Sequence, residues 1–251
     1  MKINIIMSVF NSISTLEDCL NSIYSQSHED WHMYLIDDAS NDGSEILISN
    51  IMDSRVTILR NKINKGLAFS LNKAIKLCKE SFIARIDSDD IQDKDRLINQ
   101  VEYLIKNPKI DLLCTDAYLK DLNGFKRTYT PNNHNEISKI LQKRNCIVHP
   151  TVMVKRSFFK KYGLYDESFR RAQDYELWLR ALRKGAKFGC LNKPLIYYNS
   201  SYSKWNWKTL FRHSYNRFRI FLKYQNIYYL NYFLIDIFHP YILRLISLFK
   251  R

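Results

Sequence analysis

Two short acidic clusters carry the most chemistry in this chain. One is Asp37-Asp38 and the other is Asp87-Ser88-Asp89-Asp90. Carboxylates crowded together repel one another unless something positive sits among them. A hard divalent cation that takes oxygen ligands, Mg²⁺ or Mn²⁺, answers that need and commonly bridges a carboxylate and a diphosphate. The plainer reading is that Asp closes turns by bonding its own backbone. Both clusters follow short apolar runs, and that equivalent placement favours a site. No GxGxxG or GxxxxGK[ST] loop is present, which argues against a dinucleotide-binding domain and a P-loop NTPase. A nucleotide bound here would need a metal to neutralise its phosphates.

The elements that must position these clusters follow from the hydrophobic pattern. Residues 3–10 form a β-branched-rich run ending at Asn11. Thr15 then reads as an N-cap, with Leu16, Cys19, Leu20 and Ile23 at helical spacing. Residues 31–36, 56–59, 82–86 and 110–114 read as further strands. Helical patterns fill the gaps, among them Leu67, Leu71, Ala74, Ile75 and Cys78, and then Leu97, Val101, Leu104 and Ile105. Strand and helix in regular alternation predict an α/β fold with a mostly parallel sheet flanked by helices. Ligands of such sheets bind at the carboxyl ends of the strands, where both clusters fall.

The chain has 251 residues, of which 46% are hydrophobic, enough for one main domain with an appendage. Its five cysteines are far apart and form no CxxC pair, so neither a zinc knuckle nor a disulfide framework is expected. They read as buried free thiols, as suits the cytosol. The net charge is +14, and an excess of that size favours an anionic partner. It is unevenly placed: residues 202–251 hold nine Lys/Arg against Asp236 alone, and fifteen aromatics. A boundary is therefore expected near residue 201, with a domain over 1–201 and a basic aromatic helical tail over 202–251. Trp205, Trp207, Phe211, Phe218 and Phe221 interleave with Lys208, Arg212, Arg219 and Lys223. That pattern suits a helix lying on an anionic membrane surface. Residues 227–249 are very apolar but contain Asp236, His239, Pro240 and Arg244, which argues against a clean membrane span. Packing of the tail on the domain, or a dimer interface, is the alternative.

At this point the residues carry a resemblance. Met7-Ser8-Val9-Phe10-Asn11, Leu35-Ile36-Asp37-Asp38-Ala39-Ser40, Asn64-Lys65-Gly66-Leu67-Ala68, Ala84-Arg85-Ile86-Asp87-Ser88-Asp89-Asp90, His149-Pro150-Thr151 and Gln173-Asp174-Tyr175-Glu176-Leu177-Trp178 occur in this order. Taken together they resemble family 2 glycosyltransferases of the nucleotide-sugar-binding GT-A fold, over roughly residues 3–200. The resemblance implies that Asp38 accepts a hydrogen bond from uracil, with Ser8, Phe10 and Asn11 at the base pocket. Gly66, Asp87 and Ser88 belong to the same nucleotide-sugar site, with Asp87 on the ribose or sugar. Asp89 would coordinate Mn²⁺ or Mg²⁺, and Asp174 would be the general base. His149 and Trp178 would lie toward the acceptor or the diphosphate. One departure is that residues 197–204 contain no His where the family often has one; Tyr202 and Lys204 are the polar candidates there.

The implied chemistry is inverting transfer of a sugar from a UDP-sugar to a lipid-linked saccharide of a surface polysaccharide, such as O-antigen, capsule or lipopolysaccharide core. A metal stabilises the diphosphate leaving group, and a carboxylate on the opposite face takes the acceptor's proton. The expected location is the cytoplasmic face of the inner membrane, with no nucleic-acid partner. Plainer readings stand beside each role. Asp174 could cap the helix that follows it, Gly66 could only permit a turn, His149 could be a packed residue, and Trp178 could be core. Lys65 and Arg85 read as solvated or structural. The rival functions are a nucleotidyltransferase, which normally shows a glycine-rich basic signature near its start, and a non-catalytic membrane or RNA adaptor.

Overall fold

The computed structural model describes residues 1–121 and 124–199, and residues 215–216, 218–220 and 222–224 of the tail. The first half is a parallel βα alternation. Strand β1 (Ile3–Val9) leads to α1 (Ile13–Tyr24), β2 (Trp31–Asp37), α2 (Ser44–Ser49), β3 (Val56–Arg60), α3 (Leu67–Leu77) and β4 (Phe82–Asp87). These strands lie side by side as β3-β2-β1-β4, all parallel. Strand β1 is covered on both faces, so it is buried at nearly every position and apolar residues fall on both faces rather than alternating. Helix α3 packs Leu71, Ala74 and Ile75 against Ile6, Ile36 and Ile83. On the other face, α1 packs Leu16, Cys19 and Ile23 against Ile3, Ile5 and Met7. Each such side chain, taken fully out of water, contributes about 1.5–3 kcal/mol.

The second half departs from the expected parallel pattern. It runs through β5 (Ile91–Gln92), α4 (Arg96–Lys106), β6 (Leu112–Asp121), β7 (Gly124–Arg127) and α5 (His134–Leu141). A short 3₁₀ turn (His149–Thr151) precedes β8 (Met153–Lys155), α6 (Arg156–Tyr162), α7 (Gln173–Arg183) and β9 (Phe188–Tyr198). The sheet continues from β4 as β8-β6-β9-β5, with β7 on β6. Strand β8 is antiparallel to both β4 and β6, so the sheet is mixed. The run at 110–114 is only the start of β6, which extends to Asp121.

Helix α1 begins at Ile13, not at the expected Thr15 cap. The Thr15 hydroxyl lies within the first turn and donates to the carbonyls of Ser12 and Ser88. Cys19, Cys78, Cys114 and Cys190 are buried free thiols and Cys146 is half-buried, as the composition suggests.

Candidate active site

The carboxyl ends of β1, β2 and β4 meet in register: Ser8 sits beside Ile36 on one side and Asp87 on the other. Phe10, just beyond β1, is 47% exposed. Asn11 adopts φ 51° and receives the Asn41 amide at 3.0 Å. Asp37 is tied down by Ser40 N–H at 2.8 Å and Arg60 at 3.2 Å.

Asp38 is 1% exposed, and its oxygens accept three internal hydrogen bonds. These come from the Asn61 amide at 2.7 Å, Lys65 N–H at 2.9 Å and Gly66 N–H at 2.7 Å. Its visible work is to shape the loop 61–66 at the rim of the crevice. Gly66 needs its lack of a side chain. Its φ of 91° and ψ of 164° belong to glycine, and a Cβ would stand 2.7 Å from the Arg170 guanidinium.

The second acidic cluster is tightly drawn. Oxygens of Asp87, Asp89 and Asp90 all lie within 4.8 Å of one another. Burial and the Asp87 charge push the Asp89 carboxyl up to about 6. Burial and both neighbours push Asp90 up as well. One oxygen of Asp90 accepts Asn199 N–H at 3.0 Å, and the other is buried without a hydrogen-bond partner. An all-oxygen donor set with an orphaned carboxylate oxygen and mutually repelling charges fits a hard divalent cation. Ser88 is different: its hydroxyl is bonded to Ser12 at 2.8 Å and is 7% exposed. In this structure it ties the β4 loop to the start of α1 rather than facing the crevice.

Arg85 is the counter-charge. It is 3% exposed and ion-paired to Asp87. Its Nε and Nη1 are buried without a hydrogen-bond partner. Its field also reaches Asp89, Asp174, His149, Tyr165 and Tyr198. Arg85 is therefore structural, as one reading has it, yet it stands at the centre of the site. Below it, the buried Arg96 donates to the Arg85 carbonyl at 2.9 Å, bracing the end of β4.

Asp174 lies in the first turn of α7, within the field of Arg85. The cap position is Ala172, at φ 58°, so the capping role does not hold. The helix N-terminus still favours the carboxylate. Burial pushes the Asp174 carboxyl up; the Tyr175 N–H, the Arg85 charge and the Asn145 amide pull against it, and the net direction is upward. The Asn145 bond is 2.9 Å long. His149 bonds the Tyr165 hydroxyl at 2.8 Å. Burial, then the Arg85 charge, hold its imidazole well below its usual range, so it is neutral. Trp178 is 0% exposed and packs edge-on against His149, at 5.9 Å, and Phe158. It cannot form an acceptor-site wall; its place is behind His149, in the core.

Thus Ser8, Phe10, Asn11, Asp87 and Asp89 fall at or just beyond the carboxyl ends of β1 and β4, Gly66 is tied to Asp38 beyond β2, and Asp174 and His149 come within the field of Arg85. Asn145, Tyr165 and the part played by Arg85 escape the sequence reading. Asp90 stands within the quoted cluster but without a role. Asn145 has no motif around it, whereas Arg85 is two residues from Asp87 on one strand and so shares its face. Tyr202 and Lys204 lie outside the described residues.

Comparison with known proteins decides the family. The profile of glycosyl transferase family 2 matches residues 4–163. The chain belongs to this family. It is 34% identical over 186 residues to the O-antigen biosynthesis glycosyltransferase WbnJ of Escherichia coli, covering 72% of each chain. It is 29% identical over 182 residues to the Escherichia coli UDP-Glc:alpha-D-GlcNAc-diphosphoundecaprenol beta-1,3-glucosyltransferase WfgD, covering 72% of this chain and 70% of that one. In fold it resembles S. aureus TarS 1–349 in complex with UDP-GlcNAc. The TM-score is 0.72 at 18% identity, over 95% of this chain and 73% of that one. It also resembles the Pyrobaculum calidifontis mannosyltransferase PcManGT in complex with GDP-Man and Mn²⁺. There the TM-score is 0.65 at 16% identity, over 84% and 60% of the two chains. The fold is GT-A, and membership of a glycosyltransferase family sets the nucleotidyltransferase reading aside.

The Asn145 contact makes a testable point about Asp174. A base must be ionised, so activity falls as pH drops through its pKa. The Asn145 amide favours the ionised form, and Asn145→Ala removes that support. The acid limb of kcat/KM should therefore move to higher pH. A pH–rate profile of both proteins checks this; an unmoved limb would separate Asp174 from the base role.

Proposed function

We propose that the enzyme is an inverting, metal-dependent hexosyltransferase. It would move a sugar from a UDP-sugar to a lipid-linked saccharide in surface-polysaccharide biosynthesis. The observation that carries this reading is that one buried guanidinium, Arg85, acts both on the Asp87–Asp89–Asp90 cluster and on a separate half-buried carboxylate, Asp174. The donor's diphosphate belongs on the cluster side and the acceptor on the Asp174 side.

Asp87, Asp89 and Asp90 would hold Mn²⁺ or Mg²⁺. A bound divalent cation supplies positive charge to the departing diphosphate. Phe10 and the backbone of Ser8 and Asn11 take the uracil ring, with Asp38 and Gly66 fixing the loop beside it. Asp87 orients the ribose or the sugar. On the opposite face, an Asp174 oxygen would accept the acceptor hydroxyl's proton as the hydroxyl oxygen bonds to the anomeric carbon and the bond from that carbon to the UDP phosphate oxygen breaks. Attack from the side opposite the leaving group inverts that carbon, so an α-linked donor gives a β-linkage. His149, held neutral, can orient the acceptor through hydrogen bonds without adding charge near the base.

UDP as carrier and a diphospholipid acceptor are supported by the name of WfgD and by the UDP-GlcNAc complex of TarS. Among the described residues no helix is long and apolar enough to cross a membrane. A peripheral position on the cytoplasmic face of the membrane would draw on the basic aromatic residues of 202–251, most of which lie outside the described residues.

Titration calorimetry of UDP, GDP and dTDP, with and without Mn²⁺, tests the donor half of this reading. UDP should bind only with the metal and ahead of the other two. Metal-dependent binding of GDP alone would transfer the reading to a GDP-sugar. Binding of none would remove it.

A further inference from the structure

The described part of the tail does not behave as a separate unit. Residues 215–216, 218–220 and 222–224 are helical and lie on the domain. Ile220 is 0% exposed and Tyr224 is 8% exposed. Two of the basic side chains expected to face lipid, Arg219 and Lys223, face the domain instead. Lys223 Nζ donates to Asp166 at 2.9 Å and to the fully buried Glu176 at 2.7 Å. The Tyr224 hydroxyl donates to the same Glu176 oxygen at 2.7 Å. Arg219 donates to Ser168 and lies 4.1 Å over the Phe169 ring. From α7, Arg183 reaches back to the Tyr224 carbonyl at 2.6 Å.

These contacts converge on the two segments that place the acceptor side. Glu176 is two residues after Asp174 in the same turn of α7. It also binds Arg180, which donates to the carbonyls of Tyr162 and Leu164 at 2.6 and 2.7 Å. The next residue, Tyr165, holds His149. Asp166 and Ser168, which Lys223 and Arg219 grip directly, belong to the same stretch.

We propose that the described tail residues, 215–216, 218–220 and 222–224, form a strap of the catalytic domain, with Lys223 and Tyr224 as positioning residues. Through Glu176 they fix α7 and Asp174; through Asp166 and Arg180 they fix the 162–168 stretch and His149. The inference rests on the reading of Asp174 as base; Lys223 and Tyr224 themselves bond Asp166 and Glu176, and none of their bonds goes to the ends of β1, β2 or β4. Glu176 keeps Arg180 when Lys223 is lost, so a strap variant retains a paired buried carboxylate and should fold.

The test uses the full chain carrying Lys223→Met with Tyr224→Phe, and a Lys223→Arg control. UDP affinity with Mn²⁺ should stay within about twofold of the wild type. UDP release from UDP-glucose, UDP-galactose or UDP-GlcNAc, whichever the wild type turns over, should fall about tenfold in kcat at unchanged donor KM. Amide hydrogen exchange should quicken in 163–169 and at the start of α7, and Lys223→Arg should restore most of both. Unchanged turnover and exchange would overturn the proposal. So would a parallel loss of UDP affinity and thermal stability, which would mark a general structural role. If the wild type binds no UDP, the donor reading fails, and the exchange measurement alone decides the strap.

Discussion

Asp174→Asn should reduce turnover by about 10²–10⁴-fold while leaving UDP affinity unchanged. Asn keeps the shape of the side chain and can still meet Asn145, but it cannot take a proton. The loss should appear in kcat, because the donor crevice is built from other strands and the acceptor hydroxyl stays within reach. Binding by calorimetry and turnover by UDP release separate the two effects. A variant that retains more than about a tenth of wild-type turnover would remove Asp174 as the base. A variant that loses UDP binding in step with turnover would make the residue structural.

Asp89→Asn is expected to act in two opposite directions. Metal-dependent UDP affinity should drop by about two orders of magnitude, or ~2.7 kcal/mol. Stability of the metal-free protein should rise. The sign follows from the carboxyl's elevation to about 6 in the folded chain, against an ordinary 3.8. A carboxyl harder to ionise in the fold than in the unfolded chain costs stability above its folded pKa, and costs nothing below its unfolded one. At pH 7 that cost is up to roughly 3 kcal/mol, discounted for the coupling to Asp87 and Asp90. Asn carries no charge and escapes it. Melting curves without added metal should show the variant's advantage in full at pH 7, about half of it at pH 5, and little of it below the ordinary carboxylate value of 3.8. A destabilised variant at pH 7 would mean that Asp89 is held by favourable contacts, against the picture of a strained cation site.

The part of the fold that holds the donor crevice is legible because its strands are buried on both faces. Ile3 to Val9 are apolar at five of seven positions, and the acidic turns punctuate the strands at the edge where parallel sheets bind ligands. The other half is harder to read. Strand β8 has three residues, too few for any period to show, and its antiparallel insertion between β4 and β6 is a tertiary event. Trp178 misleads because α7 is covered beyond its expected apolar stripe, so a large aromatic one turn after Asp174 sits in the core. Ser88 occupies a site motif, yet the nearest hydroxyl, Ser12, claims it. For the tail, composition distinguishes a basic aromatic helix but not which basic residues find buried acids; Glu176 and Lys223 are 47 residues apart. Arg85 is visible only as one cation in an acidic motif, and its central place depends on burial that no local pattern reports.

Stereochemistry of the product tests the central claim most directly. The wild-type enzyme with Mn²⁺ would be given UDP-glucose, UDP-galactose and UDP-GlcNAc, with a synthetic α-GlcNAc-diphospholipid as acceptor. Proton NMR of the purified product would then read the new anomeric centre. The account predicts a β-linkage from the α-linked donor, absent with Asp174→Asn. An α-linkage would contradict single displacement assisted by Asp174.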